Sequence, residues 1–474
     1  VIVPLLAVLA SVVVWGLVYR SLVRHPLDAV AITLYYLALQ LLVRPLVLAI
    51  GLDSPFPTTL FADRDPQALL LRGQLVVTVF LLALWAGARL LTPLVRPVAV
   101  LFPLSRGPLS PRTLVVLTVV LTTAAFLATV TLWIRYGGPA GLLQAAKVDR
   151  DLAESRALRS IPMLAALVGV AAFFSVRRAS LQQIAVFGLI AVNGYLSWTW
   201  GARDVPVLSV VALLAGSLVF GPAGRRAAGR ADGRWLRDPR WRRGFLLVPV
   251  IALLLAFSLR AARDTVLWGE LASTIEGQGA VRQVAVATNN TFYDALLLYL
   301  DDWPDRFDHT GGADFVDGSV AALPTVLIGQ QDPFVSPAVQ LAQTYIDRNN
   351  GFPATAVGDW YVNLGHPGIV LGGLLAGLVA RAGQFAFRRF LRDPLVWGFS
   401  LVFMIRIFPG GVWATSPPKW VAIGLPIIAF TVLVNLFVRR ADERRERSPA
   451  PAQPAAGEDA GEDAAGAERE ESAR

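Results

Sequence analysis

The sequence predicts an all-α polytopic membrane protein of about eleven transmembrane helices with one large extracytoplasmic loop domain between the eighth and ninth. Three observations carry this. Of 474 residues, 55% are hydrophobic and only 16% charged, and the mean hydropathy is +0.55, whereas soluble domains carry ~25% charged residues. Apolar blocks of roughly 17 to 24 residues suffice to cross a ~30 Å hydrocarbon core at 1.5 Å per helical residue. The net charge of +9 comes from 43 basic residues, all but Lys147 and Lys419 being Arg. Many of them flank the apolar blocks, so the charge reads as a topology signal rather than as an affinity for nucleic acid.

Apolar stretches bounded by charge and by Pro or Gly give spans near 1 to 19, 28 to 50, 69 to 92, 113 to 134, 161 to 176, 181 to 199, 205 to 221, 245 to 259, 367 to 386, 394 to 413 and 419 to 438. The first has no basic segment before it and reads as an anchor, not a cleaved signal. Eleven spans put the termini on opposite sides. The tail opens with Arg439-Arg440 and continues Arg444-Arg445-Glu446-Arg447, which places the C-terminus in the cytoplasm and the N-terminus outside, in a bacterial-type inner membrane. Arg20, Arg24, Arg89, Arg96, Arg177, Arg178 and the arginines from Arg225 to Arg243 then all face the cytoplasm. Residues 1–259 hold helices one to eight, 260–366 the loop domain, 367–438 helices nine to eleven, and 439–474 a disordered cytoplasmic tail. The tail lacks aromatic residues from Ser448 onward and cannot bury a core. The loop domain contains Trp268, Tyr293, Trp303, Phe315, Phe334, Tyr345 and Trp360 and is expected to fold.

The absence of cysteine excludes a disulfide scaffold, a thiol enzyme and Cys-ligated zinc or iron-sulfur centres. His25, His309 and His366 are the whole histidine complement, too few for a His-rich metal site. Neither metal nor cofactor is expected. Charge at bilayer depth is costly and therefore informative. Arg44, before Pro45, and Arg406, within Val402 to Phe408, both fall in the outer half of spans; each is either a structural pair or snorkelling group, or an anion ligand. Arg203, in the tight connection Trp200-Gly201-Ala202-Arg203-Asp204, and Arg135, Lys147, Arg150, Arg156 and Arg159 around Tyr136-Gly137-Gly138 put positive charge on the side where it is normally scarce. Guanidinium binds phosphate bidentately and keeps its charge, so a lipid-linked diphosphate is one partner for this cluster. Local pairing with Asp149, Asp151, Glu154 and Asp204 is the other.

The most specific text is Gly351-Phe352-Pro353-Ala354-Thr355-Ala356-Val357-Gly358-Asp359-Trp360-Tyr361-Val362-Asn363-Leu364-Gly365-His366-Pro367-Gly368-Ile369-Val370-Leu371-Gly372. It sets a single carboxylate, Asp359, where the loop domain returns to the bilayer. A partly desolvated carboxylate there suits a general base, a helix cap or an ion-pair partner. His366, beside Pro367 at a helix start, is either structural or a weaker site candidate.

This segment resembles the "Pro, small residues, Gly-Glu-x-Tyr-x-Asn-x-Gly-x-x-Gly" stretch of the oligosaccharide repeat-unit polymerases, the O-antigen polymerase or Wzy-type family, with Asp359 in place of Glu. Leu323-Pro324-Thr325 through Gln331-Asp332-Pro333 is similar to an upstream family segment, with Thr325 and Asp332 at its basic positions. Gly201-Ala202-Arg203 is similar to its Gly-x-Arg turn, and the Gly137-Gly138 loop with Arg150 to its layout. The resemblance implies a membrane glycosyltransferase, GT-C-like in layout, of cell-envelope polysaccharide biosynthesis. It would polymerise polyprenyl-diphosphate-linked oligosaccharides at the outer face of the cytoplasmic membrane, inverting and metal-independent. It further implies Asp359, Arg203 and Arg150 as catalytic groups, Arg44, Arg406, Arg135 and Lys147 as diphosphate ligands, and Tyr361 and Asn363 beside His366 as accessory site residues. A chain-length regulator is a partner it leaves open. An O-antigen ligase-like transferase, a polyprenyl-phosphate-sugar transferase using Asp63-Arg64-Asp65, a lipid-linked glycan transporter or flippase, and a structural partner of a glycan assembly complex are the competing expectations.

Overall fold

A computed structural model describes residues 2–23, 29–51, 61–93, 109–148, 156–176, 180–200, 204–220, 291–320, 335–346, 355–390 and 395. Among them every regular element is helical. In chain order these are α1 (Ile2–Leu22), α2 (Ala29–Ala38, continued through a π-helical turn Leu39–Val43 into Arg44–Ala49), α3 (Pro66–Leu90), α4 (Pro111–Tyr136), α5 (Pro139–Val148), α6 (Arg156–Ser175), α7 (Leu181–Thr199), α8 (Asp204–Phe220), α9 (Thr291–Asp302), α10 (Ala313–Val320), α11 (Pro337–Ile346) and α12 (Ala356–Phe390). Four stretches are long and apolar enough to cross a membrane: α1, α3, α4 and Val357–Phe385 of α12; Thr33–Ala49, Ile161–Ser175 and Val205–Ser217 are shorter apolar helices. The expected spans at 245–259, 394–413 and 419–438 and the tail lie outside the described residues.

Helix starts follow local chemistry. Asp65 accepts hydrogen bonds from the N–H groups of Gln67 (2.9 Å) and Ala68 (3.2 Å) ahead of α3, Ser110 accepts from Thr113 (3.1 Å) ahead of α4, and Pro66 and Pro111 open those helices where no N–H partner is needed. Interior proline acts differently in α2. Pro45 cannot donate to the Leu41 carbonyl and crowds it, and the π-helical turn lies directly before it. The freed Leu41 carbonyl instead accepts from Gln74 Nε2 of α3 at 3.3 Å.

The principal packing partners form two groups, α1, α2, α3, α9 and α12 in the first and α4, α6, α7 and α8 in the second. In the first, Ser11 meets Thr78 at 2.9 Å while Ser21 accepts from Trp85 at 3.0 Å, so α1 and α3 run parallel. The later part of α12 runs parallel to α3 as well, at very close range. A Cβ on Gly373 would lie 2.6 Å from Ala83 Cβ, and one on Gly377 2.1 Å from the Leu84 carbonyl oxygen. Such approach gains van der Waals contact without the hydrophobic drive that lipid cannot supply. α9 is enclosed on all sides, with Phe292 to Leu300 buried. It seats on α3 at Gly73, where a Cβ would stand 2.6 Å from the Tyr293 hydroxyl. The first group has a polarity: Arg20 and Arg89 close the last turns of α1 and α3, while Asp63, Asp65, Asp301, Asp302, Asp305, Asp308, Asp314 and Asp317 gather at the opposite, acidic end.

In the second group a threonine face of α4 meets α7. Asn193 Nδ2 donates to Thr122 Oγ1 (2.7 Å) and Trp200 Nε1 to Thr129 Oγ1 (3.0 Å), both across 71 residues, so these helices are parallel with α6 between them.

Candidate functional site

The segment singled out from the sequence folds as a helix broken and turned back on itself. Thr355 Oγ1 accepts from the Gly358 N–H at 3.1 Å and starts the first part of α12. At Gly365 the backbone takes φ 65°, ψ −149°, a region open in practice only to glycine. The two parts then fold together: a Cβ on Gly368 would stand 2.1 Å from the Trp360 carbonyl oxygen, and one on Gly372 2.3 Å from the Trp360 indole. Trp360 is wedged on its other side by Phe315 of α10, ring centroids 4.6 Å apart. The expected ninth span begins at this break.

The turn 303–310 supports the break. Asn363 Oδ1 accepts from Thr310 Oγ1 (2.9 Å), its Nδ2 donates to the Asp359 carbonyl (2.9 Å), and His309 Nδ1 contacts the Val362 carbonyl at 3.1 Å. Tyr361 donates to the Trp303 carbonyl at 2.8 Å and accepts from Arg72 Nη2 of α3 at 3.1 Å. His309 and His366 each stand edge-on to the Tyr361 ring with centroids 5.4 Å away, and His366 is exposed while Asp359 is only 6% exposed. Burial, then the Asp359 and Asp314 carboxylates, push the Tyr299 hydroxyl far above its ordinary pKa, so this phenol beside Asp359 stays neutral.

A second cluster lies at the acidic end. Arg64 Nε pairs with Asp301 at 2.9 Å and its Nη2 with Asp302 at 3.0 Å and the Tyr345 hydroxyl at 2.7 Å. Tyr345 donates to Asp302 (2.7 Å), and its ring is faced by Arg64 at 5.4 Å and Arg306 at 4.7 Å. The cluster ties the approach to α3 to the end of α9 and to α11. Burial raises the Asp302 carboxyl above its ordinary pKa, against the lowering pull of Tyr345 and Arg64. Burial also raises Asp314. Each folded carboxyl therefore holds its proton to higher pH than its unfolded counterpart. Their contribution to stability is full below the unfolded pKa and is lost as pH rises through the folded one. Thermal unfolding followed from neutral pH down to about pH 4, the ordinary carboxylate range, is expected to show a stability gain in wild type that shrinks in Asp302→Asn, whose side chain is neutral throughout; equal pH slopes in the two proteins would refute this.

Of the residues expected from the sequence, Asp359, Tyr361, Asn363 and His366 come together at the broken helix. Arg44 lies in α2, its guanidinium paired with Asp294 of α9 at 2.9 Å, the side chains 3% and 0% exposed. Arg135 is exposed at the end of α4, its guanidinium 5.4 Å from the Tyr136 ring, and Lys147 falls on α5, both in helices of the second group's neighbourhood. Arg150, Arg203 and Arg406 lie outside the described residues, as do Leu323 to Pro333. Arg72, Asp294, Asp302 and Tyr345 were not anticipated. Arg72 and Asp294 carried a readable signal, since each is a charge inside an apolar run, as Arg44 is.

Among the described residues, fold and site together define an all-helical protein with four helices long and apolar enough to cross a membrane and a polar cluster around a glycine-broken helix. No protein family, characterised protein or solved structure matches it.

Proposed function

We propose that this chain is a membrane glycosyltransferase that polymerises polyprenyl-diphosphate-linked oligosaccharide repeat units, with the acidic end of its first helix group at the extracytoplasmic face. The observation that carries the reading is the placement of Asp359, Tyr361, Asn363 and His366 on one broken helix, with Asn363 bonded to the Asp359 backbone, His366 against Tyr361, and Arg72 of α3 bonded to the Tyr361 hydroxyl. In the reaction an acceptor sugar hydroxyl attacks the anomeric carbon of the lipid-linked glycan from the face opposite the diphosphate. The carbon–oxygen bond to the diphosphate breaks and its electron pair leaves on phosphate oxygen. The hydroxyl proton passes to the Asp359 carboxylate, and guanidinium groups, Arg203 and Arg150 foremost with Arg406, Arg135 and Lys147 in support, stabilise the departing charge. Arg44, already engaged by Asp294, holds α9 against α2.

Purified protein in lipid, given a polyprenyl-diphosphate oligosaccharide, is expected to yield a ladder of products. Asp359→Asn and Arg203→Ala are expected to lower the rate by about 10²-fold or more. An unchanged ladder in both variants overturns the assignment. The exposed His366 beside Tyr361 favours one rival, a ligase-like transferase, whose mark is a single glycan added to a foreign acceptor; movement of lipid-linked glycan across the bilayer without turnover would instead mark a flippase.

A further inference from the structure

Among the described arginines that reach into the first helix group, Arg44 and Arg64 are neutralised by carboxylates. Arg44 has Asp294 and Arg64 has Asp301 and Asp302. Arg72 differs. It stands seven residues beyond Asp65, the cap of α3, hence ~10 Å down the helix from its start at 1.5 Å per residue. It shares the inward face with Leu69, Gly73 and Val76, all buried. Among the described residues no carboxylate lies within ion-pair distance of it, and its hydrogen-bond partner is the uncharged Tyr361 hydroxyl. Asp305, exposed in the turn 303–306, acts on that hydroxyl electrostatically but forms no ion pair with Arg72.

A half-buried guanidinium at this depth is costly unless an anion meets it. The fork has donors beyond the one used by Tyr361, and its geometry suits two oxygens of a phosphoryl group. Tyr361 is itself fixed, since its hydroxyl proton is directed to the Trp303 carbonyl. It therefore orients Arg72 without neutralising it. His366, exposed and edge-on to the same ring, marks the site's open side.

We infer that Arg72, oriented by Tyr361, is a phosphoryl-oxyanion site between α3 and the broken helix. The inference deepens the reading above and rests on it only for the source of the phosphate, the diphosphate of a polyprenyl-linked glycan. Arg72 is then a binding residue and Tyr361 a positioning residue.

The test uses the full chain in neutral-lipid nanodiscs, with thermal unfolding and equilibrium titration as readouts. Undecaprenyl diphosphate, inorganic pyrophosphate and nanodiscs containing phosphatidylglycerol are the three probes. Undecaprenyl diphosphate is expected to raise the unfolding temperature of wild type. Its affinity is expected to fall about tenfold or more in Arg72→Gln, with part of the loss recovered in Arg72→Lys. Tyr361→Phe, which leaves every charge in place, is expected to weaken binding by roughly threefold and so reads the same contact should Arg72→Gln fail to fold. Stabilisation by pyrophosphate or phosphatidylglycerol alone, abolished by the same variants, keeps the oxyanion site and reassigns its source. Equal affinity in wild type and folded variants, or no response of wild type to any probe, overturns the inference. Ladder synthesis with an unchanged KM in Arg72→Gln sinks this site and leaves the polymerase reading intact. Arg72-dependent binding with no glycan product does the reverse.

Discussion

Gly365→Ala and Gly368→Ala are each expected to destabilise the protein severely and to abolish the proposed ladder synthesis. At Gly365 an alanine must occupy backbone space that costs about 1–3 kcal/mol for any residue with a Cβ, and that Cβ would sit 3.2 Å from His309 Nε2. At Gly368 the obstacle is the Trp360 carbonyl oxygen, 2.1 Å from the added carbon, with Leu364 Cβ at 2.9 Å. Neither neighbour is a flexible chain end, so the two parts of α12 must separate, and overpacking of this kind costs about 1–3 kcal/mol or more. The separation pulls Tyr361 and Asn363 away from Trp303 and Thr310 and displaces Asp359 with them. Thermal unfolding in detergent checks the prediction. Gly16→Ala and Gly188→Ala are the controls: nothing lies within 4 Å of a Cβ at either position, and in a helix alanine is favoured over glycine by about 1 kcal/mol. Loss of stability in the controls equal to that in the Gly368 variant would refute the argument.

Breaking the Arg44–Asp294 pair is the second large effect. With both side chains almost wholly enclosed, Arg44→Gln or Asp294→Asn leaves one buried charge without its counter-charge, at a cost of about 3–5 kcal/mol. Removing both groups together, as Arg44→Met with Asp294→Leu, is expected to recover most of that loss, because a well-packed apolar pair of similar volume serves about as well as a buried ion pair. Chemical unfolding of wild type, Arg44→Met, Asp294→Leu and the double variant gives the coupling directly. If the double variant is no more stable than the singles, the two charges are not acting on each other. If it is stable and still makes product, Arg44 holds the bundle together and touches no substrate.

The sequence is legible wherever a single local rule governs. The expected spans from 28 to 50, 69 to 92, 113 to 134 and 181 to 199 match α2, α3, α4 and α7 to within a few residues, because apolar length and capping residues such as Asp65 and Ser110 act nearby. The glycines around Asp359 were readable as permitting turns and close approach, and they do both at Gly365, Gly368 and Gly372. Their partners were not readable. Trp360 folding onto Gly372 depends on a break geometry that residue types do not encode alone, and Gly73 receiving Tyr293 spans 220 residues of chain. The charge partners of Arg44 and Arg64 lie 250 and 238 residues away, beyond any pattern of spacing. Asp302 and Tyr345 lacked even a local hint, being ordinary surface types until three separated segments bring them together.

That distance between Arg44 and Asp294 also orders events during biogenesis. Ribosomes add ~5–20 residues per second, so α2 has emerged for tens of seconds before its counter-charge is even synthesised. Until then the arginine is without the carboxylate that neutralises it in the folded bundle. Arrival of α9 supplies that carboxylate and closes the pair.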